Sequence, residues 1–137
     1  MILPMKAGDT TLMHDLYRTA WHECLELQAR PLEEALQSVT REVQDYPRAE
    51  IYTEDMSGGM ILVASEDMHV GYCATVFWAY VHPAARNAQY RRLFRQALEV
   101  ASRWGCPFIA YSHRVGVGEY THKYRRVQDG KSRIIGN

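Results

Sequence analysis

Hydrophobic residues in the first third of the chain recur about every 3.6 positions, which predicts two successive helices. The first apolar stripe covers residues 12–27 and follows the cap residues 8–10. The second covers residues 32–46, starts at Pro31 with acidic residues in its first turn, and is stopped by Pro47. We therefore expect the chain to begin with a helix and to continue into another.

From residue 49 onward the apolar positions form short runs that are typical of strands. Residues 49–55 predict a short edge strand, and residues 60–64, after the turn at 57–59, predict a second strand. Residues 70–81 are dense in β-branched and aromatic side chains, so they form either one long bent strand or two strands. Nothing in the sequence marks where two such strands would be separated.

Helical spacing returns after Pro83. This proline ends the preceding strand, since it has no backbone N–H to donate. A third helix begins at Asn87 or Gln89 and runs to about Trp104, with Gly105 as its C-terminal cap.

The last part of the chain alternates short apolar segments with glycine-containing ones. Residues 107–111 predict a strand, residues 115–118 a flexible loop, and residues 119–125 a short helical segment. A turn signal at 129–130 predicts a final small β-ribbon. This order of elements predicts an α+β or mixed α/β sheet with helices packed against it.

Composition narrows the class of protein. The chain has 137 residues and 47% hydrophobic content, which suits one domain with a sizeable core. No apolar run approaches the roughly 20 residues that cross a bilayer, and the first residues lack the features of a signal peptide. Three cysteines without ligand spacing indicate reduced thiols rather than a disulfide framework or a zinc site. We expect one soluble, cytoplasmic domain over residues 1–137 that holds no metal.

Charge is unevenly distributed although the net charge is zero. Residues 1–85 carry 13 Asp or Glu against 5 Lys or Arg, and residues 86–137 carry 3 against 11, so the two parts have net charges of about −8 and +8. A basic field attracts phosphates, and an acidic one attracts amines. The alternative is that the two fields only complement each other inside the fold.

Residues 80–94 combine the end of a strand, a proline turn and the start of a helix. Val81, Pro83 and Arg86 match the pattern V-x-P-x-x-R-G-x-G-x-G/A of the GNAT superfamily of acetyl-CoA-dependent N-acetyltransferases, in which an amphipathic helix follows. The order of predicted elements over about residues 3–125 also resembles that family. The chain is similar to a compact and divergent member.

The resemblance implies a fold and a cosubstrate. The fold is a mixed, mostly antiparallel sheet with helices on both faces, here with reduced C-terminal strands. The strand before the turn splays from its neighbour and leaves backbone groups for the pantetheine arm of acetyl-CoA, while the turn's N–H groups cradle the pyrophosphate. The residues that the resemblance assigns to acetyl-CoA are Tyr80, Val81, Arg86, Asn87, Ala88, Gln89, Tyr90, Arg91 and Arg92.

The phosphate loop departs from the family pattern, because Gln89 and Arg91 stand at two of its glycine positions. Glycine there lets phosphate approach the backbone closely. A side chain at these positions either crowds the pyrophosphate or, as a guanidinium at Arg91, replaces the backbone contacts with charge-assisted hydrogen bonds. Arg86, Arg92 and Arg95 lie within about three helical turns, and the alternative for all four is a solvated basic helix face.

Acetyl transfer needs a proton donor for the leaving thiolate. Tyr124 lies where the family's Y-x-x-x-G-F motif supplies a tyrosine near the thioester sulfur, although the Gly-Phe is absent here. We take Tyr124 as the first candidate and Tyr120 as the second, since a phenol can donate a hydrogen bond to a developing thiolate. Either tyrosine could instead be a packing residue.

The reaction also needs a base for the amine and a donor for the carbonyl. His113, at the end of a predicted strand, and His82, beside the cofactor strand, are the candidate bases. Glu66 or Asp67 could act through a water. The resemblance places the carbonyl-polarising amide in the backbone at Val81 or its neighbour.

The resemblance implies an N-acetyltransferase that moves an acetyl group from acetyl-CoA to an amine by direct attack on the thioester. The acceptor is an amine of a protein or a small molecule, and the acidic first part of the chain favours a cationic one. The alternative is a catalytically degenerate protein of this fold that binds a host or partner protein, which the missing glycines favour. Compact members of the family occur in phage genomes, and a phage-encoded member would act in the host cytoplasm.

Other functions are disfavoured. The basic C-terminal part and its tyrosines are compatible with nucleic-acid binding, but no recognised nucleic-acid module is visible. The chain has no G-x-S-x-G, P-loop or H-E-x-x-H motif, which disfavours a hydrolase, a kinase and a metalloenzyme.

Overall fold

The structure, a computed structural model, describes residues 1–127 of the chain. Within that part, six strands and three α-helices follow one another. The strands are β1 (Ile2–Met5), β2 (Arg48–Tyr52), β3 (Gly58–Asp67), β4 (Gly71–Val81), β5 (Phe108–Gly116) and β6 (Glu119–Arg126). The helices are α1 (His14–Glu23), α2 (Leu32–Gln44) and α3 (Arg86–Arg103), with 3₁₀ turns at Leu27–Ala29 and Pro83–Ala85.

All six strands belong to one sheet, and their spatial order is the order of the chain. Neighbouring strands are antiparallel except β4 and β5, which run parallel. Parallel neighbours need a long crossover connection, and α3 provides it between these two strands. The mixed α/β class with a mostly antiparallel sheet is therefore confirmed.

Helices cover both faces of the sheet, as expected. On one face, called the α1 face, α1 and α2 pack against strand residues that include Tyr52, Ile61 and Tyr80. On the other, called the α3 face, α3 buries Leu93 and Ala97 against the strands. Within residues 1–127, β6 is the single strand that follows β5.

A buried ion pair lies in β2. The side chains of Arg48 and Glu50 are both fully buried, and Arg48 Nε donates to Glu50 Oε2 at 2.9 Å. The guanidinium also donates to the backbone carbonyl oxygens of Val43 and Tyr46, at 3.0 and 3.3 Å, and to that of Asp9, at 2.9 Å. These acceptors lie at the end of α2 and in the loop before α1, so the pair joins three segments.

The carboxylate of Glu50 is used just as fully. Its Oε1 accepts from the backbone N–H of Leu12 at 3.0 Å and from the hydroxyl of Tyr52 at 2.7 Å. Burial and the bond to Glu50 raise the pKa of Tyr52 far above its ordinary value, so this hydroxyl stays a donor. A buried charge is tolerated when it is both paired and hydrogen-bonded, and this network meets both conditions.

The chain begins with a strand, so the expectation of a helix as the first element is wrong. β1 pairs antiparallel with β2, with Ile2 opposite Ile51, and the backbone N–H of Tyr52 donates to the carbonyl oxygen of Met1 at 2.9 Å. A strand this short has too few residues for a periodic signal, and its pairing alone defines it. The expectation that β2 is an edge strand is also wrong, because β1 covers it and all of its residues are buried.

The sequence left open whether residues 70–81 form one long bent strand or two strands. The structure has one strand there, β4, with a bulge. Ile61 lies opposite Trp78. The next residue of β3 lies opposite Val76, which makes Phe77 the extra residue. A bulge of this kind bends a strand and increases its local twist.

The short helical segment predicted over residues 119–125 is wrong. These residues form β6, which pairs with β5 along its length. Tyrosine and threonine in this segment suit a strand, and pairing with β5 decides the outcome. The flexible loop predicted at 115–118 is instead the end of β5 and a tight turn, in which Gly118 has a φ of 70°.

Helix boundaries shift by a few residues. α1 ends at Glu23, so the stripe predicted over residues 12–27 is too long, and Leu12 is exposed outside the helix. α3 starts at Arg86 rather than one to three residues later. No helix in residues 1–127 is long and apolar enough to cross a bilayer. The ribbon predicted around 129–130 lies outside the described residues.

Two adjacent glycines in β3 allow neighbouring elements to approach closely. A Cβ on Gly59 would lie 2.8 Å from both Leu16 Cδ1 and Met13 Sδ, so α1 can seat against the sheet only where no side chain intervenes. A Cβ on Gly58 would lie 3.0 Å from the carbonyl oxygen of Tyr80. The two positions therefore fix how closely α1 and the end of β4 pack against β3.

We expect Arg48→Met to lower the free energy of unfolding by about 3–5 kcal/mol, because it leaves the Glu50 carboxylate buried without its counter-ion. The measurement is urea unfolding followed by tryptophan fluorescence. The matched control is Arg18→Met, which removes an exposed i,i+3 pair with Asp15 and should change stability little. Equal losses in the two variants would contradict a structural role for the buried pair.

Candidate functional site

The parallel pairing between β4 and β5 is short. It joins Ala74 to Ile109 and Thr75 to Ala110. β4 continues to Val81 and β5 to Gly116, but the facing edges of the two strands have no ladder partner within residues 1–127 beyond that point. We call the resulting opening, between residues 76–81 and 111–116, the β4–β5 cleft. The pairing stops in the part of β4 where the resemblance implied that the strand leaves its neighbour.

The start of α3 lies at the end of β4, beside this cleft. A 3₁₀ turn, Pro83–Ala85, joins the strand to the helix, and His82 Nδ1 accepts from the backbone N–H of Ala84 at 3.4 Å. No side chain within the described residues caps the first turn of α3. The backbone N–H of Arg86 donates to the carbonyl oxygen of Pro83 within this turn, and the helix dipole presents positive charge at the end of β4.

Arg86 ties the end of β4 to the end of α1. Its Nε donates to the carbonyl oxygen of Val81 at 3.1 Å, and its Nη2 donates to Glu23 Oε1. The guanidinium also lies 5.9 Å from the ring centroid of Tyr80, whose hydroxyl donates to Glu23 Oε2 at 2.5 Å. The matched arginine thus fixes the corner between strand and helix through groups of the protein itself.

A second cluster holds the hairpin of β5 and β6. Arg114 donates to both carboxylate oxygens of Glu26, at 2.7 and 3.1 Å, and the Tyr120 hydroxyl donates to Glu26 Oε2 at 2.9 Å. A two-point contact of this kind fixes the orientation of both planar groups. The hairpin is therefore attached to the segment that follows α1.

Residues 23–26 connect these two clusters, and we call them the strap. Glu23 at its start is bound to the β4 side of the cleft, and Glu26 at its end is bound to the β5 side. Cys24, which is half-buried, lies between them. The strap therefore spans the β4–β5 cleft on the α1 face.

The charges in the strap are stabilised by their partners. Hydrogen bonds from Arg114 hold the pKa of Glu26 well below its ordinary value. Burial alone would raise the pKa of Glu23, but the bonds from Tyr80 and Arg86 outweigh burial and lower it. Burial and the bond to Glu23 raise the pKa of Tyr80 to about 12. At neutral pH both carboxyls are charged and the phenol is protonated.

A polar and aromatic cluster lies on the α1 face of β5 and β6. Ser112 Oγ lies 3.3 Å from His122 Nδ1, and the His122 ring meets the Tyr124 ring edge to face with centroids 4.9 Å apart. The Tyr124 hydroxyl donates to both oxygens of Asp67, at 3.0 and 3.1 Å. Asp67 Oδ1 in turn accepts from the backbone N–H of His69 at 2.7 Å.

Aromatic rings form the β4 side of the same face. Trp78 stacks on Tyr80 with centroids 6.2 Å apart and meets Tyr17 of α1 at 5.4 Å. On the α3 face, Phe94 packs edge to face on Tyr111 at 5.0 Å. Aromatic side chains therefore lie near the β4–β5 cleft on both faces of the sheet.

Basic side chains gather on the α3 face. Arg91, Arg92 and Arg95 are exposed on the first half of α3. The Arg125 guanidinium lies 5.5 Å from the ring centroid of Phe94, and this contact brings a cation of β6 next to α3. This face fits an anionic ligand better than a cationic one.

The structure brings together the residues that the resemblance assigned to acetyl-CoA, since all of them lie between the end of β4 and the second turn of α3. It does not bring the candidate tyrosines and histidines to one point. Tyr120 lies on the cleft half of β6, whereas Tyr124 lies opposite Ala110, where the sheet is still paired. His113 lies within β5 rather than at its end, and His82 is used in capping the 3₁₀ turn.

The carboxylates that were candidates for water-mediated catalysis lie at the far end of the sheet. Glu66 and Asp67 are the last residues of β3, and the turn that follows them leads into the start of β4. Asp67 is occupied by Tyr124 and by the backbone N–H groups of His69 and Val70. Neither carboxylate lies beside the β4–β5 cleft.

Sequence reasoning missed the strap and the Ser112–His122 pair. The strap carboxylates, Glu23 and Glu26, are three residues apart at the end of α1 and just after it, which is a weak signal. Their partners are also distant along the chain. Ser112 and His122 become visible only when residues 119–125 are taken as a strand, because the pairing register then places them opposite each other. Within residues 1–127, no group of three His, Cys, Asp or Glu side chains is arranged to hold a metal ion.

Comparison with solved structures gives a likeness of fold, whereas the sequence comparisons find no match. No protein-family model matches the chain, and no curated protein sequence matches it. Among solved structures, it is similar to the aminoglycoside antibiotic 6'-N-acetyltransferase AAC(6')-IG from Acinetobacter haemolyticus, in a structure without ligand. The likeness has 16% sequence identity and a TM-score of 0.49, and it covers 84% of this chain and 80% of that one. At this level the likeness says nothing about substrate.

We expect Glu26→Gln to release the strap, because the charged contact with Arg114 is weakened. Cys24 in the strap should then react several-fold faster with a maleimide at pH 7.5, as measured by peptide mass spectrometry. Cys73 and Cys106 are buried and serve as unreactive references in the same sample. The control is Glu34→Gln on α2, which should leave the rate at Cys24 unchanged; equal rates in all forms would show that Glu26 does not hold the strap.

Lowering the pH should also release the strap. Both strap carboxyls have a lowered pKa in the folded protein, so their stabilising contribution is complete above the ordinary Glu pKa of about 4.3 and is lost as the pH falls below it. Hydrogen exchange at residues 23–26 should therefore accelerate below that pH relative to α2.

Proposed function

We propose that the chain is an N-acetyltransferase that moves an acetyl group from acetyl-CoA to an amine. The observation that carries the proposal is the parallel pairing of β4 and β5, which stops after Thr75 and Ala110 beside the start of α3. Strand edges without a ladder partner and a helix start without a side-chain cap, in one place, suit a ligand that has both amide groups and phosphates.

The cleft supports binding of the pantetheine arm. The residues of β4 from 76 to 81 carry backbone N–H and C=O groups that have no ladder partner on the β5 side within the described residues. An extended chain with amide groups can add to such an edge as a strand does. The Phe77 bulge bends β4 within this segment, which favours access to its backbone.

The phosphates belong, in this proposal, at the start of α3. Gln89 and Arg91 replace the glycines of the family pattern, so Arg91 and Arg92 supply charge where backbone approach is restricted. Arg86 contributes differently from what the resemblance implied, because its guanidinium is bound to Glu23 and Val81. It sets the angle between β4 and α3 rather than contacting phosphate.

The α1 face supplies the acceptor side. An amine that attacks the thioester forms the new C–N bond as the C–S bond breaks, and the sulfur then needs a proton. Tyr120 suits that role better than Tyr124, because it lies on the cleft half of β6. Burial and its bond to Glu26 raise the pKa of Tyr120, so it carries its proton at neutral pH. The strap beside it adds no net charge for the acceptor, because Glu23 is paired with Arg86 and Glu26 with Arg114.

One observation favours the alternative of a degenerate binding protein. The arginine that matches the family motif is engaged by Glu23, and both glycine positions carry side chains. A protein in which these changes close the phosphate site would keep the fold and bind a partner through its charged faces. Binding of acetyl-CoA distinguishes the two proposals.

The test is calorimetric titration of the purified protein with acetyl-CoA and with CoA. We expect saturable binding, and we expect Arg91→Ala to weaken it about tenfold to a hundredfold, which corresponds to one lost charge-assisted contact of about 1.5–3 kcal/mol. The matched control is Arg103→Ala in the last turn of the same helix, which should bind as the unaltered protein does.

Salt gives an independent reading of the same site. Binding should weaken as ionic strength rises, because phosphate contacts by exposed guanidiniums are screened. Absence of heat and of saturation with both ligands would sink the transferase proposal and leave the binding protein.

A further inference from the structure

We propose that Ser112 and His122 form a proton-accepting pair for the acceptor amine, with Ser112 in contact with the amine and His122 acting through it. The inference rests on the proposed function and names residues for it that the family resemblance did not. It is carried by three observations: the contact between the two side chains, the face on which they lie, and the position of Ser112 at the cleft.

The two residues are direct neighbours across the hairpin. Ser112 of β5 lies opposite His122 of β6 in the pairing register, and its Oγ lies 3.3 Å from His122 Nδ1. A hydroxyl in this arrangement can pass its proton to the imidazole while it accepts another. Both side chains are exposed, so a substrate on this face can reach them.

The pair lies on the α1 face. Side chains alternate along a strand, and Arg114, two residues beyond Ser112, reaches Glu26 of the strap on that face. Tyr111, one residue before it, contacts Phe94 of α3 on the opposite face. Ser112 and the strap therefore share the side from which an acceptor approaches.

Ser112 also lies where the cleft opens. The last paired residue of β5 on the cleft side is Ala110, whose side chain is on the same face. Ser112 is the next residue of β5 on the α1 face. It is therefore the first β5 residue on that face beyond the point where β4 and β5 stop pairing. In the continued register it would lie level with the Phe77 bulge of β4.

The imidazole is held in place from its other side. Tyr124 meets the His122 ring edge to face and is itself fixed by its two contacts with Asp67. The charged and titratable groups around the pair are Asp67 and His69 from the β3–β4 turn, Tyr124 and Tyr120 from β6, and Arg114 with its partner Glu26. This is support of the kind that keeps a base oriented.

The proposed step balances in protons and electrons. An acceptor that arrives as an ammonium ion gives one proton to Ser112 Oγ, and the Ser112 hydroxyl proton moves to His122. The nitrogen lone pair then forms the C–N bond, and the electron pair of the breaking C–S bond leaves on sulfur. The nitrogen then loses its second proton to Tyr120, which gives its own hydroxyl proton to the thiolate. The imidazolium of His122 returns its proton to water.

The same geometry excludes His113 from this role. It lies on the α3 face by strand alternation, on the side of Tyr111 and Phe94. That face carries the basic side chains of α3 and is the side on which the phosphates are placed. His113 and His122 therefore lie on opposite faces of one hairpin, and a single experiment separates them.

The experiment compares transfer of acetyl groups to two probe amines, n-propylamine and hydroxylamine, at pH 7.5. n-Propylamine is an ammonium ion at that pH and needs a base, whereas hydroxylamine is already neutral. We expect His122→Gln and Ser112→Ala to lose about a hundredfold or more of kcat/KM with n-propylamine and to remain within about threefold of the unaltered protein with hydroxylamine. In His122→Gln, the rise of kcat/KM with pH that comes from imidazole deprotonation should also disappear.

Calorimetric titration of the same variants with acetyl-CoA separates failure of this inference from failure of the proposed function. Unchanged binding with the selective loss supports the pair. Equal losses with both amines, or a selective loss in His113→Gln with His122→Gln unaffected, overturns it while transfer itself stands. No transfer by the unaltered protein to either amine overturns both the pair and the transferase.

Discussion

The ion pair between Arg48 and Glu50 sets the position of everything on the α1 face. Its remaining hydrogen-bonding atoms reach the end of α2, the loop that follows β1, and the backbone just before α1. Because both charges are fully buried, moving any of these segments would take hydrogen bonds away from a buried charged group. α1 is thus anchored at its start, and its other end carries the strap over the β4–β5 cleft. The geometry of the candidate site depends on an interaction at the opposite end of this helix.

Much of the fold is visible in the sequence. The apolar residues of α2 and α3 recur with a long helical period, β3 contains a continuous apolar run, and tertiary contacts reinforce these local preferences. β1 is not visible, since a strand of this length exists only through its pairing with β2. β6 is polar, and its residues predicted a short helical segment; its strand conformation follows from the tight turn at Gly118 and from the ladder with β5. In both cases a neighbouring strand decides what local preference leaves open.

The candidate site also combines features that are local in sequence with features that depend on distant contacts. Val81, Pro83 and Arg86 are local in sequence, and their spacing alone identifies the corner between β4 and α3. The partner of Arg86 does not follow from the motif, because Glu23 lies 63 residues earlier and acts through the packing of α1. The histidines show a second limit, since the face on which His113 or His122 lies depends on strand register. A helix predicted over residues 119–125 conceals that register, so the sequence alone does not show that His113 and His122 lie on opposite faces of the hairpin.

The glycine pair of β3 has a consequence for how this fold can diverge. The start of α3 carries side chains, Gln89 and Arg91, where the family pattern has glycine. At Gly58 a side chain would meet the backbone of Tyr80, whereas at Gly59 it would meet only the ends of the flexible Leu16 and Met13 side chains. Gly58 is therefore the more strictly constrained of the two positions, because backbone atoms cannot be moved aside as the end of a side chain can.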